Sequence, residues 1–423
     1  MTVDCKKTAQ SENTVRDSIA PRRSRSVLVL SSTFPSCADR NYGVFVKERL
    51  RAVADLDGHE LRVVAPTPYF PPLPVSTRWS HWSRFPRAEF VDGLDVRRPR
   101  YFLPPKIGGY IQPALMYRSA RRAVERLRSE GFDFDLVDSH FVFPNGVVGA
   151  MLAEKYHKPL VITGRGEDIL RFPGLPMMGR SIRWAVQRAS QFIALSEEIA
   201  EAFERQGAPT NRITVIPNGV DIEKFRPIPK REARLRLDLP PDRPIIVSVG
   251  NRQERKGFHL LVDAIPKIQQ AHPDMLLVIA GGAAPYGNDY TPEIQRRIAE
   301  HGLQDHVRLL GGVAHEDLLY CYSAADVFAL LSSREGSPNV LMEALACGTP
   351  AVATPVGGIP QTLAEPHLGI VLQERSVAAA ADGLITALGR DWDTVAIRRT
   401  MESRSWQQTA ESVAAVFERA LSE

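Results

Sequence analysis

The sequence has no uncharged apolar run near the ~20 residues a membrane-spanning helix requires, so no transmembrane segment is expected. Cysteine is scarce. The four present, Cys5, Cys37, Cys321 and Cys347, lie far apart and form no CxxC pair. Neither a zinc site nor a disulfide framework is indicated, which fits a reducing compartment. Net charge is also small, because 53 basic and 49 acidic residues leave +4. A nucleic-acid partner therefore has little support. GxGxxG, the turn that seats a dinucleotide pyrophosphate, follows neither first strand of the two halves, which disfavours nicotinamide chemistry. Met1–Ser26 is polar and lacks the apolar stretch of a signal peptide. Residues 1–26 are expected to be a disordered tail on a cytoplasmic protein.

What is present is an ordinary globular composition. Of 423 residues, 44% are hydrophobic and 24% charged, which suggests two or three domains at roughly 150 residues each. The charge is unevenly spread. Residues 78–130 hold twelve Lys/Arg and five Asp/Glu, a surplus larger than that of the whole chain. Such a segment is either a solvated face or a surface that meets anionic lipid or an anionic acceptor.

Val27–Leu30 is a short apolar run, followed by a polar loop to Gly43, an amphipathic stretch Val44–Leu56 and a second run Leu61–Ala65. Strand, loop, helix, strand opens a doubly wound sheet. After an aromatic- and proline-rich insertion (66–113), strands are predicted near 136–140, 160–162, 189–195 and 213–216, with helices near 146–156 and 197–206. Proline-rich joints at 225–229 and 239–241 precede a second alternation. Its strands are read at 245–249, 275–280, 307–310, 327–331 and 350–354, and its helices at 258–271 and 339–346. The fold class is α/β: a half at 27–218, a linker at 219–244, a half at 245–394 and a helical segment at 395–423. Ligands of such sheets sit beyond the carboxyl ends of the strands, here in the cleft between the halves.

The densest chemistry lies in Glu335–Glu343, EGSPNVLME. A strand ends in a polar turn, and Pro338 suits a first helical position. Free N–H groups and the dipole of a helix N-terminus bind phosphate, and Gly336 lets the backbone approach closely. Glu335 and Glu343 stand at the two edges of that cradle, placed for a sugar hydroxyl and a ribose diol. A capped amphipathic helix with solvent-facing glutamates is the competing reading.

The stretch Arg334–Gln361, REGSPNVLMEALACGTPAVATPVGGIPQ, resembles the Glu-x7-Glu motif of the retaining nucleotide-sugar glycosyltransferases of family 4. Val215–Asp221 followed by Phe225 resembles their interdomain segment. Ile193–Ser196 resembles the strand leading into it, and Val249-Gly250 with Lys256-Gly257 the donor phosphate loop. The motifs run in family order from Ser26 to the Trp406 region. The resemblance implies a GT-B fold: two Rossmann-like domains facing a cleft, the acceptor side N-terminal and the donor side C-terminal. The C-terminal helix would pack back on the N-terminal domain. It also implies transfer of a hexosyl unit from a UDP- or GDP-linked sugar to a hydroxyl of a glycan or lipid-linked acceptor. No metal or other cofactor would be needed. Glu343 would hold the ribose, Glu335 the transferred sugar and Lys256 the pyrophosphate. N–H groups around Asn339, Val340 and Leu341, beside Gly336 and Ser337, would hold the distal phosphate. Gly43 and Gly250 would let the backbone approach the donor. His140 matches a cleft histidine that holds a donor-sugar hydroxyl, while Asn218, Gly219 and Asp221 would shape the crossover.

The chain departs from this pattern twice. The family usually has arginine after the donor-loop glycine, where this chain has Asn251, leaving Arg252 or Arg255 to swing in or to face solvent. The family often shows His-Gly-x-Asp where this chain has Arg165-Gly166-Glu167-Asp168. Arg165 and Asp168 therefore either contact an acceptor, an anionic one suiting the arginine, or form a structural turn. The aromatics Trp79, Trp82, Phe85, Tyr101 and Phe102 either shape the acceptor side or are core. Two rival functions remain: a GT-B epimerase or hydrolase of UDP-sugars, and a non-catalytic adaptor docked through the basic segment. The first lacks this Glu-x7-Glu arrangement, and the second leaves Glu335, Glu343 and Lys256 without a purpose.

Overall fold

The computed structural model describes residues 25–56, 58–69, 82–104, 108–284 and 289–422. In its first half the apolar and β-branched runs become β1 (Arg25–Leu30), β2 (His59–Val64), β3 (Thr67–Tyr69), β4 (Ala88–Val91), β5 (Leu94–Arg97), β6 (Arg100–Phe102), β7 (Leu136–His140), β8 (Leu160–Gly164), β9 (Gln191–Ala194) and β10 (Ile213–Val215). Eight of these form one sheet, ordered β10-β9-β8-β7-β1-β2-β5-β4 and parallel except for β4. The second half contributes β11 (Ile245–Val249), β12 (Leu276–Ala280), β13 (Val307–Gly311), β14 (Val327–Leu330), β15 (Ala351–Ala353) and β16 (Gly369–Val371). They form an all-parallel sheet ordered β13-β12-β11-β14-β15-β16. Helices cover both faces, so strands such as β1, β8 and β11 are buried along nearly their whole length and read as continuous apolar runs.

Each sheet starts in its middle and winds outward both ways, so its order reverses once, between β1 and β7 and between β11 and β14. Ligands of doubly wound sheets gather at such reversals. The loops after β1, β11 and β14 hold Gly43, Lys256 and Glu335 respectively, and His140 is the last residue of β7.

Three stretches differ from the sequence-based expectation. Much of the 66–113 insertion is sheet, because β4 and β5 form an antiparallel hairpin that extends it. Asp92 and Gly93 turn that hairpin with positive φ of 48° and 85°, the conformation that favours Asp-Gly. Phe85 and Tyr101 are core, Phe102 is exposed, and Trp79 lies outside the described residues. The 219–244 linker largely belongs to the second domain. Val220, Phe225, Ala233 and Leu239 are buried in that domain's core, since apolar side chains there gain more from burial than from tethering. The 395–423 segment is two helices. Thr394–Glu402 buries Ile397 and Met401 in the C-terminal core. Trp406–Ser422 crosses back and buries Val413, Val416 and Phe417 against Val27, Val46 and Leu50.

The two crossings run side by side: Val220 pairs with Ser405, and a Cβ on Gly219 would come within 2.6 Å of the Trp406 backbone. Further along the returning helix, Phe417 is fully buried in the first domain's core. Phe417→Ala is expected to cost about 3–5 kcal/mol through lost transfer energy and a residual cavity. Chemical denaturation measures this, and an unchanged midpoint and slope would show that the returning helix adds no stability.

Candidate active site

The loop after β11 begins at Gly250 and ends at Gly257, whose φ of +74° and close approach to the Leu331 carbonyl exclude a side chain. This seats Lys256 against the turn after β14. Its Nζ lies 2.6 Å from Glu335 Oε1, and the Ser332 hydroxyl donates to the same oxygen at 2.6 Å. The Arg255 guanidinium is 3.6 Å away. Burial pushes the Glu335 carboxyl up, but Lys256 and Arg255 outweigh it and hold the group below its ordinary value, hence ionised. Two residues that the sequence assigned to different parts of the donor thus form one ion pair.

Asn251 is exposed. Arg252 turns away, donating from Nε to Thr291 Oγ1 at 2.6 Å and from a terminal nitrogen to the Gly281 carbonyl at 2.8 Å. Arg255 instead lines the cleft beside Glu335. Of the two arginines considered for the family's missing one, Arg255 faces the site.

The helix Asn339–Ala346 has Pro338 at its N-cap. The Leu341 N–H is engaged by the Pro338 carbonyl at 3.1 Å, which removes it from the set of phosphate donors read from sequence. The N–H groups of Asn339 and Val340 have no partner among the described residues. Asn218 secures this helix end. Its backbone N–H donates to Ser337 Oγ at 3.1 Å, and its Nδ2 donates to the Ser337 carbonyl at 3.2 Å and to Asn339 Oδ1 at 2.8 Å. About one turn on, Glu343 accepts from the Tyr322 hydroxyl at 2.7 Å and meets His315 Nε2 at 3.0 Å. Lys224 Nζ donates to the other His315 nitrogen at 2.7 Å, which leaves Nε2 as the proton donor to Glu343.

Across the cleft, Gly43 opens the helix Val44–Ala54 with φ +83°, and a Cβ there would lie 2.7 Å from the Thr33 carbonyl oxygen. His140 is fully buried. Its Nδ1 accepts from Arg165 at 2.7 Å, so Nε2–H donates to Asp138 at 3.0 Å. Burial lowers its pKa to about 4, leaving it neutral. Both ring nitrogens are therefore occupied, and the contact with a sugar hydroxyl expected of His140 is not available in this arrangement. Arg165 reaches the cleft in its place, its guanidinium 4.9 Å from the Phe45 ring centroid and 3.4 Å from Asn218 Oδ1. Asp168 is also redirected. It accepts the backbone N–H groups of Val142 at 2.6 Å and Arg165 at 3.1 Å and braces the loop rather than meeting an acceptor.

The two domains meet here. A Cβ on Gly336 would overlap the Arg165 carbonyl oxygen, and Arg334 pairs with Glu167 at 3.1 Å. Between them lies a cavity of ≈ 800 Å³ lined by Arg165, Glu167, Arg171, Arg255, Tyr290 and Glu335 among others. Sequence reading missed Ser332, His315, Tyr322 and Lys224, and took Asn218 as architectural. Only Asn218 and Lys224 had a sequence signal, through their place in the interdomain motif. Fixed cations and free helix N–H groups of this kind stabilise charge that develops on a departing phosphate.

Comparison with known proteins agrees with this geometry. The family described as glycosyltransferase family 4 matches residues 43–224, and glycosyl transferases group 1 matches residues 229–402. A teichuronic acid biosynthesis glycosyltransferase of Bacillus subtilis is 27% identical, over 85% of this chain and 88% of its own. A D-inositol 3-phosphate glycosyltransferase of Mycobacterium bovis is 28% identical, over 78% of this chain and 69% of its own. Among solved structures, sucrose-phosphate synthase from Thermosynechococcus elongatus superposes with a TM-score of 0.75 at 19% identity, covering 94% of this chain and 99% of that one. Anabaena HepE in complex with UDP and glucose gives a TM-score of 0.67 at 22% identity, covering 93% and 99%. With one family match on each domain and the converging loops between them, the chain belongs to the family 4 glycosyltransferases of GT-B fold.

Proposed function

We propose that this enzyme moves a hexosyl unit from a nucleoside-diphosphate sugar, UDP- or GDP-linked, to a hydroxyl of a glycan or glycolipid acceptor. The anomeric configuration is retained, no metal is required, and the reaction serves cell-surface polysaccharide or glycolipid synthesis. The observation that carries this reading is the Lys256–Glu335 pair set beside the unpartnered N–H groups of Asn339 and Val340. The HepE complex with UDP and glucose supports a UDP donor. The two relatives are named for an acid and for a phosphate, which supports an acidic acceptor near Arg165.

The bond from the anomeric carbon to the leaving phosphate breaks while a bond to the acceptor oxygen forms on the same face. The acceptor proton passes to the departing phosphate oxygen. Lys256, Arg255 and the helix end meet the negative charge of the leaving group, and the Glu335 carboxylate faces the positive charge of an oxocarbenium-like sugar. Glu343, fixed by Tyr322 and His315, holds the ribose hydroxyls. His140 is a positioning residue in this scheme and acts through Arg165.

Glu335→Gln keeps the shape and removes the charge. It is expected to lower turnover by about 10²–10³-fold with the fold intact by circular dichroism; near wild-type transfer would refute the assignment. A nucleotide sugar that binds only the folded enzyme raises its melting temperature. That shift is expected to vanish in Glu343→Ala, and a shift that survives would place the ribose elsewhere.

His140 also makes stability depend on pH. Its pKa falls from 6.5 to about 4 on folding, so between those values the unfolded chain binds a proton that the folded one does not. The stabilisation is complete above about pH 6.5 and is lost as pH falls toward 4, by an amount on the order of 3 kcal/mol. Urea titrations at neutral and acid pH should show a smaller loss in His140→Gln, and an equal loss would contradict the buried neutral state.

A further inference from the structure

Between the β4–β5 hairpin and the helix Gly108–Ser129 runs a groove of ≈ 280 Å³ that shares no lining residue with the catalytic cleft. Six arginines line it, Arg87, Arg97, Arg98, Arg100, Arg122 and Arg126, and no acidic residue does. Three are answered within the protein: Arg97 by Asp95 and Glu130, Arg98 by Glu89, and Arg100 by the carbonyls of Ser83 and Phe85. Arg87, Arg122 and Arg126 are exposed, and their guanidinium groups have no ion-pair or hydrogen-bond partner among the described residues.

Apolar side chains flank this charge. Ile111, Leu115, Arg118, Arg122 and Arg126 recur every three or four residues and so share one helix face. That face changes from apolar to cationic along its length, and Ile111 is 40% exposed. On the opposite wall Phe90 follows Ala88, a lining residue, on the same face of β4, and is 76% exposed. Unpaired arginines held together repel one another unless anions lie in front of them. A soluble polyanion would satisfy the arginines but gain nothing from Phe90 or Ile111, whereas an anionic bilayer rewards both, through its phosphates and its headgroup boundary.

We propose that this groove and helix face seat the enzyme on an anionic phospholipid surface, with lipid phosphates against Arg87, Arg122 and Arg126 and with Phe90 and Ile111 at the headgroup boundary. The basic surplus of residues 78–130 thereby resolves into a small unpaired set, because most of the other described arginines there are already bound to carboxylates or carbonyls. This docking is independent of which sugar is transferred.

Co-sedimentation of the full chain with phosphatidylcholine vesicles, with and without phosphatidylglycerol, tests it. Binding is expected only with phosphatidylglycerol and should weaken with salt. Arg122→Gln and Arg126→Gln should each weaken it about fivefold, the effect of removing one cation near the surface. Phe90→Ser should weaken it further at unchanged charge. Transfer to a water-soluble acceptor should be unaffected in all three variants, with melting temperatures unchanged, which separates docking from the catalytic reading. Equal binding to neutral vesicles, wild-type binding by the arginine variants, or binding of inorganic pyrophosphate without any binding of vesicles would overturn the proposal.

Discussion

The ion pair between Lys256 and Glu335 is the constraint on which the second domain's side of the cleft depends. The two side chains are only 12% and 10% exposed, so this is not a surface pair of small worth. Two charges taken out of water recover their desolvation cost only when geometry is good and the remaining lone pairs are met. Ser332 and Arg255 meet that condition here. The pair also dictates backbone shape. Lys256 reaches Glu335 only if the loop after β11 folds back over β14, and Gly257 is where a side chain would collide with Leu331. Gly357 packs against the Glu335 carbonyl from the other side, again with no room for a Cβ. Glycines enclose the pair so that it can be short and partly dry.

A second polar chain holds the two domains in register. It runs from Asp138 through His140, Arg165 and Asn218 to Asn339, from the end of a strand in one domain to the start of a helix in the other. Each member uses its neighbour to fix its own protonation or rotamer, as hydrogen-bond networks of low dielectric surroundings do. The N-terminal end of the helix Asn339–Ala346 is thus positioned partly from the first domain. Glu343 is fixed separately, through His315, by Lys224 of the crossover segment. The helix end and Glu343 are therefore both tied to the joint between the domains.

The helix Asn339–Ala346 was legible to the residue, because Pro338 and an apolar run bounded by Gly348 leave little choice. The alternation of strands was legible because buried parallel strands read as unbroken apolar runs. The hairpin of β4 and β5 carried a signal in Asp92-Gly93, but the prolines and aromatics around it suggested an insertion. His140 shows the limit of sequence position. Its place at the end of β7 was read correctly, yet its hydrogen bonds depend on Arg165, twenty-five residues away, and no periodicity reports that contact. The same holds for Tyr322 and His315, which converge on Glu343 from another helix and a loop. The linker was misjudged for a simpler reason: its prolines were weighed above Val220 and Phe225, whose burial assigns it to the second domain.

The returning helix Trp406–Ser422 makes the second domain, in topological terms, an insertion within the first. Residues from opposite ends of the described chain, Arg25 and Glu418, close the ring with a paired hydrogen bond. Synthesis from the N-terminus therefore delivers the first domain's strands early and the last wall of its core late. Val27, Val46 and Leu50 await Val413 and Phe417 while the whole second domain is made. The domain translated second is the one able to complete its core first, and the first domain's core is sealed only when the helix Trp406–Ser422 has left the ribosome.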